Sequence, residues 1–387
     1  MSIQTMASPR SNVLKATPKP NAAPRFRLRR LKVENFRALE KFDFEFPDSE
    51  IPGEPDVFVL GSRNGMGKTS ILEAISLAIM GAELSESFKF AWRRAMRDYG
   101  PDQSALNYGD YFVRAGAEQA SIDATFERPE GGHAHSLIVI DRELKIIKQE
   151  SKGFVHSKVR ERRDPDHYGL ALTSLVGATA EPLLLDRLLY LHSYRKVVEG
   201  MPDFGSFIAS ERAGREFAWR RREHANFSAF KVSILAALIG QNDLFESEET
   251  GRAPPEETVG LLNSLLEKFA KGKVSKLKPI HGNTIDIRIS PVDGGESFSI
   301  DGLSSGQKEI VSTLFMIWQQ TYGRPSIVLI DEPEMHLNAQ WHRVFVEELH
   351  RVAPRNQYIL ATHSELVAES VPSHRRAIMR NSNRKNS

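Results

Sequence analysis

The chain has 387 residues, 40% hydrophobic and 26% charged, with a formal net charge of +2. That length can bury a full core and holds one large or two ordinary domains; so small a net charge does not by itself announce a nucleic-acid binder. There is no cysteine, which excludes disulfides and thiolate metal sites and fits a reducing, cytoplasmic setting.

The first 24 residues are rich in Pro, Ser, Ala and Asn, with scattered Lys and Arg and no apolar centre. They read as a flexible basic tail and not as a secretory signal. A strand is expected over Leu31–Phe42, and another at Val57–Leu60. The second leads into Ser62-Arg63-Asn64-Gly65-Met66-Gly67-Lys68-Thr69-Ser70. Apolar residues at Ile71, Leu72, Ile75, Ala78 and Ile79 then keep helical spacing.

The glycine-bearing loop therefore sits at a helix N-terminus, where unpaired N–H groups and the positive dipole end favour phosphate. Gly65 and Gly67 let the backbone curl around phosphate oxygens. The Lys68 ammonium is placed to reach the β and γ phosphates of ATP, and the Thr69 hydroxyl to complete a magnesium shell. A first glycine is usual where Ser62 stands, and Gly61 comes one place too early; Ser is small enough to turn there.

Farther on, strands are expected at Ala120–Phe126 and Leu137–Asp141, and a mostly helical stretch over 196–280, with Leu261, Leu262, Leu265, Leu266 and Phe269 on one face. The longest apolar run, Val232–Gly240, falls well short of the ~18 residues a membrane helix needs. Basic clusters lie at Ala91–Arg94, Lys158–Arg163 and Arg212–Arg222, the last interleaved with Phe217 and Trp219. Two readings stay open for them: neutralisation of a DNA or RNA backbone with base stacking, or solvated faces with the aromatics turned inward. Val197–Asp203 matches the acidic start of a TOPRIM nuclease. Its second acidic strand does not follow, so no intrinsic nuclease is expected.

Strands return at Thr284–Ile289 and Ser297–Ile300. In Leu303-Ser304-Ser305-Gly306-Gln307, Ser304 and Gln307 form a capping-box pair ahead of an apolar helical face, again a helix N-terminus suited to phosphate. Two such helix ends on opposite sides of one nucleotide are most simply supplied by two protomers. Ile327–Ile330 is a short branched run, as expected of a central parallel strand covered on both faces. Carboxylates at its C-terminal end face the ligand crevice: Asp331 as the magnesium partner and Glu332 to deprotonate the attacking water. Asn338 reads as the cap of the next helix. The strand Tyr358–Ala361 ends at Thr362-His363, and His363 is expected on the γ-phosphate.

This ordered set resembles the ATP-binding-cassette ATPases, in which the signature turn of one subunit closes over the ATP of the other. Ser305 departs from the commonest LSGGQ signature. The Asn35-Phe36-Arg37 opening is similar to that of the SMC, RecF and RecN group, and Asp331–Ala339 to the "DEPExHLHP" run of OLD-type phage-defence ATPases, with Asn338-Ala339 in place of His-Pro.

The resemblance implies an α/β P-loop ATPase head of the ABC type, with a mixed sheet, added antiparallel strands and a helical insertion. Its parts are expected at 25–195 and 281–372, around an insertion at 196–280 and before a loose basic tail at 373–387. It further implies an Mg-dependent ATPase that dimerises on ATP and acts as a switch or motor, controlling a protein effector or sensing DNA or RNA. The alternative is the nucleotide-binding subunit of a membrane transporter.

Overall fold

The computed structural model describes residues 26–48, 54–61, 66–84, 87–98, 109–154, 183–185, 187–193, 229–240, 253–280 and 285–379. The first elements are β1 (Arg27–Phe36), β2 (Leu39–Glu45), β3 (Val57–Gly61), α1 (Lys68–Leu84), α2 (Phe88–Asp98) and α3 (Gly109–Phe112). Then come β4 (Gln119–Glu127), β5 (His133–Asp141), β6 (Ile146–Lys152), β7 (Leu183–Leu185), β8 (Leu188–Leu191), α4 (Ala229–Gly240) and α5 (Pro255–Ala270). The C-terminal part holds β9 (Gly272–Pro279), β10 (Ile285–Pro291), β11 (Phe298–Ser299), α6 (Ser305–Thr321), β12 (Ile327–Asp331), α7 (Ala339–Val352), β13 (Gln357–Thr362), α8 (Glu365–Glu369) and β14 (Arg376–Ile378).

Among the described residues the strands form three sheets. Five antiparallel strands run in the order β2-β1-β4-β5-β6, three in the order β11-β10-β9, and six in the order β14-β3-β13-β12-β8-β7. In the last sheet every neighbouring pair is parallel except β7 with β8. The sequence run expected as one strand from Leu31 to Phe42 is in fact a hairpin. It breaks after Phe36, where Asn35 and Arg37 take left-handed φ of 54° and 50°, a region asparagine tolerates better than most residues.

The parallel strands carry apolar side chains on both faces. Phe58, Leu60, Leu188, Tyr190, Ile327, Leu329, Ile359 and Ala361 face a core shared with α1 and the five-stranded sheet. Their neighbours Val57, Val59, Leu189, Leu191, Val328, Ile330, Tyr358 and Leu360 face a second core built with α4, α5, α6 and α7. Helix α1 is buried on all sides, as its nearly continuous Ile, Leu, Ala and Met content requires.

Polar joints fix the sheets to each other. The Gln357 side chain accepts from Leu28 N at 2.8 Å and donates to Leu28 O at 3.0 Å, so β13 and β1 are held through one buried amide. Buried Asp56 accepts from Arg27 at 2.5 and 2.7 Å and from Arg375 at 2.9 Å, while the Arg375 guanidinium lies 4.7 Å from the centre of the Phe58 ring. The chain from Ser373 is therefore not the start of a loose tail. Arg375 is fully buried, and β14 adds a parallel edge strand to β3. A basic composition hid this because the partners of the charge lie some 320 residues upstream.

Candidate functional site

The C-terminal ends of β3, β13 and β12 lie side by side, the place where open parallel sheets bind ligands. Helix α1 starts there at Lys68. Ser62, Arg63, Asn64 and Gly65 lie outside the described residues, while Met66 and Gly67 complete the bend into the helix. Gly67 has φ +83°, and a Cβ on it would stand 2.7 Å from Leu39 Cδ2, so the β1–β2 turn presses directly on the loop. Ser70 is buried in the first turn. Lys68 is buried, its Nζ 3.0 Å from His363 Nε2. Burial pulls its ammonium below the ordinary value, opposed by the carboxylates of Asp331, Glu332 and Glu334.

The Thr69 hydroxyl donates to Asp331 Oδ2 at 2.9 Å. Among the described residues no group of three His, Cys, Asp or Glu side chains could cage a metal. Magnesium does not need such a cage: it is held by one or two protein oxygens together with phosphates and water, and the touching Thr69–Asp331 pair fits that role. Glu332 has a left-handed φ of 48°, an uncommon conformation for a non-glycine residue. Its N–H donates to Ala361 O at 2.8 Å, continuing the pairing past the strand end. Its Oε1 stands 3.5 Å from His363 Nε2. Lys68, Thr69, Asp331, Glu332 and His363, separated by up to 295 residues, are thus brought together.

The turn at Ser304 is a complete capping box. Gln307 N donates to Ser304 Oγ at 3.2 Å and Ser304 N to Gln307 Oε1 at 2.9 Å, while Gln307 Nε2 reaches Phe269 O at 3.2 Å at the end of α5. A Cβ on Gly306 would lie 2.6 Å from His336 O, so only glycine lets the start of α6 close on the turn after β12. The side-chain bonds of Ser304 and Gln307 stay within this turn and α5; none reaches Lys68, Thr69, Asp331, Glu332 or His363. Ser304 and Ser305 are exposed.

Two groups beside the cluster were not picked out from the sequence. Glu334 accepts three hydrogen bonds from the end of β13. Buried Glu73, one turn into α1, pairs with the half-buried Arg37, whose guanidinium also lies 4.4 Å from the centre of the Tyr111 ring. Burial pushes the Glu73 carboxyl up to about 7, with Arg37 opposing and Asp331 adding to the rise. A carboxyl raised in the folded state contributes stability below its unfolded value of 4.5, and that contribution is lost as pH climbs through about 7. Urea midpoints of wild type should therefore fall more than those of Glu73→Gln across that window; parallel profiles would contradict the assignment.

In the first basic cluster Trp92 is buried and donates to Leu144 O at 2.8 Å, so base stacking by this indole is ruled out. Lys158–Arg163 and Arg212–Arg222 lie outside the described residues, as does Val197–Asp203.

Sheet order, phosphate-loop helix and paired strand-end residues define a P-loop ATPase head. The fold is similar to that of an SMC head bound to the C-winged helix domain of ScpA, with a TM-score of 0.51 at 14% identity, covering 89% of this chain and 92% of that one. Residues 63–369 match the family described as "AAA domain, putative AbiEii toxin, Type IV TA system", and the chain belongs to that family. It is 31% identical over 152 residues to the retron Vc95 probable ATPase of Vibrio cholerae serotype O1 biovar El Tor, across 36% of this chain and 29% of that protein. It is 26% identical over 353 residues to the OLD nuclease of Thermus scotoductus (strain ATCC 700910 / SA-01), across 88% of this chain and 60% of that protein. The chain thus spans less than two thirds of either relative's length. No described helix is long and apolar enough to cross a membrane.

Proposed function

We propose that this chain binds ATP with magnesium, hydrolyses it, and uses the cycle to close and reopen a dimer of two copies that controls a protein effector, in phage defence or DNA repair. The observation that carries this is the convergence of Lys68, His363, Glu332 and the Thr69–Asp331 pair at the C-terminal ends of β3, β13 and β12. Lys68 and the first N–H groups of α1 bind the β and γ phosphates. Thr69 and Asp331 would hold magnesium, which would supply charge neutralisation at those phosphates. Glu332 takes the proton of the attacking water, and His363, between Lys68 and Glu332, holds the γ-phosphate in line. The Ser304–Gln307 turn, exposed at Ser304 and Ser305, supplies the facing helix end from the other copy. Relatives named as a retron ATPase and an OLD nuclease favour this reading over a transporter subunit. Phosphate release by the purified chain with ATP and magnesium tests the activity; no release above a Lys68→Ala control would overturn it.

Nucleic acid is proposed as a second partner through Arg215, Arg220, Arg221 and Arg222, which flank Phe217 and Trp219. Neutralising these four arginines should flatten the dependence of log affinity on log salt by about 3 to 4 units. An unchanged slope, or no binding at low salt, would return them to the solvated-face reading.

A further inference from the structure

The turn after β12 does more than present Glu332. Pro333 follows directly, Met335 N bonds back to Glu332 O at 3.1 Å and Leu337 N to Glu334 O at 3.0 Å, so the Glu334 side chain leaves a tight, internally bonded turn. Both of its oxygens are spent on the end of β13. Oε2 accepts from Thr362 Oγ1 at 2.7 Å, and Oε1 accepts from His363 N at 2.6 Å and Ser364 N at 3.1 Å. A second link runs alongside, His342 Nδ1 to Ser364 Oγ at 3.0 Å. The residue whose backbone N–H is gripped is the one whose ring stands 3.0 Å from Lys68 Nζ and 3.5 Å from Glu332 Oε1. Three converging donors demand an acceptor with several lone pairs, which a carboxylate supplies without a donor of its own.

We infer that Glu334 is the positioning residue of the hydrolytic step: its carboxylate locks the Thr362 hydroxyl and the His363 and Ser364 backbone to the Glu332 turn, so that imidazole and general base keep a fixed spacing over the γ-phosphate. This rests on the proposed reading of His363. It separates two duties inside one four-residue segment, chemistry at Glu332 and alignment at Glu334, and it makes the spacing of the β12 and β13 ends, not only their side chains, a determinant of turnover.

The test is a double-mutant cycle on kcat with Glu334→Ala, His363→Ala and the double variant, alongside thermal melts and binding of a fluorescent ATP analogue. Glu334→Ala should lower kcat by ~10- to 100-fold, the usual cost of a misplaced catalytic group, with KM and analogue binding within a few-fold of wild type. The double variant should be no slower than His363→Ala, because a group that acts through His363 has nothing left to position. Glu334→Gln, which keeps an acceptor for the two N–H groups, should recover most of the loss. If Glu334→Ala does not fold, the cycle is run with Glu334→Asp, whose carboxylate falls one methylene short. Additive losses, or loss of analogue binding in step with kcat, would overturn the role of Glu334 alone. Wild-type turnover in His363→Ala would overturn the reading of His363 and the inference with it.

Discussion

Glu332→Gln is expected to bind ATP as wild type does and to turn it over ~10²- to 10⁴-fold more slowly, the usual cost of removing a positioned general base. Lys68→Ala, by contrast, should lose binding itself. The difference follows from where the two side chains stand. Lys68 is buried at the first turn of α1 beside three carboxylates, so its ammonium offsets their charge and is the group proposed to meet phosphate. Glu332 is part-exposed at the strand end, close to His363, where it is proposed to act on water and not on the phosphates. Equilibrium binding of labelled ATP with single-turnover hydrolysis separates the two effects. Normal turnover in purified Glu332→Gln would remove that residue from the chemistry.

The second large effect concerns assembly. Ser305→Arg puts a bulky cation at an exposed helix start whose own bonds stay within the turn and α5, so ATP binding by the Lys68 loop should survive while dimer closure and turnover fail. A mixture of Ser305→Arg and Lys68→Ala should regain activity. One mixed dimer keeps an intact loop facing an intact signature, and at equal proportions half the dimers are mixed, each with one good site of two. Recovery should then approach roughly a quarter of the wild-type rate. Inactive mixtures whose subunits exchange would argue against shared sites.

Much of the site was legible because its parts are local. The phosphate-loop residues read through Ser70 form one contiguous run, the Ser304–Gln307 capping box spans one helical turn, and Ile327–Ile330 is an unbroken apolar run ending in two carboxylates, a pattern the doubly covered strand β12 explains. What stayed hidden depends on partners distant in sequence. Nothing near Glu73 announces Arg37, and nothing in Gln357 announces Leu28. Arg375 looks like tail until Asp56 is placed beside it. Glu334 could have been found: a third carboxylate so soon after Asp331, beyond a proline, has few jobs on a strand end. The break at Arg37 was missed because no Gly or Pro marks it; the left-handed turn is made by Asn35 and Arg37 themselves.

If ATP builds a two-copy unit with sites shared between protomers, sedimentation equilibrium of Glu332→Gln with ATP and magnesium measures it most directly. The mass should double on adding ATP and fall back on its removal, with no doubling when Ser305→Arg is combined with Glu332→Gln. A Glu332→Gln protein that binds ATP and stays a monomer across the accessible concentration range would rule out shared sites.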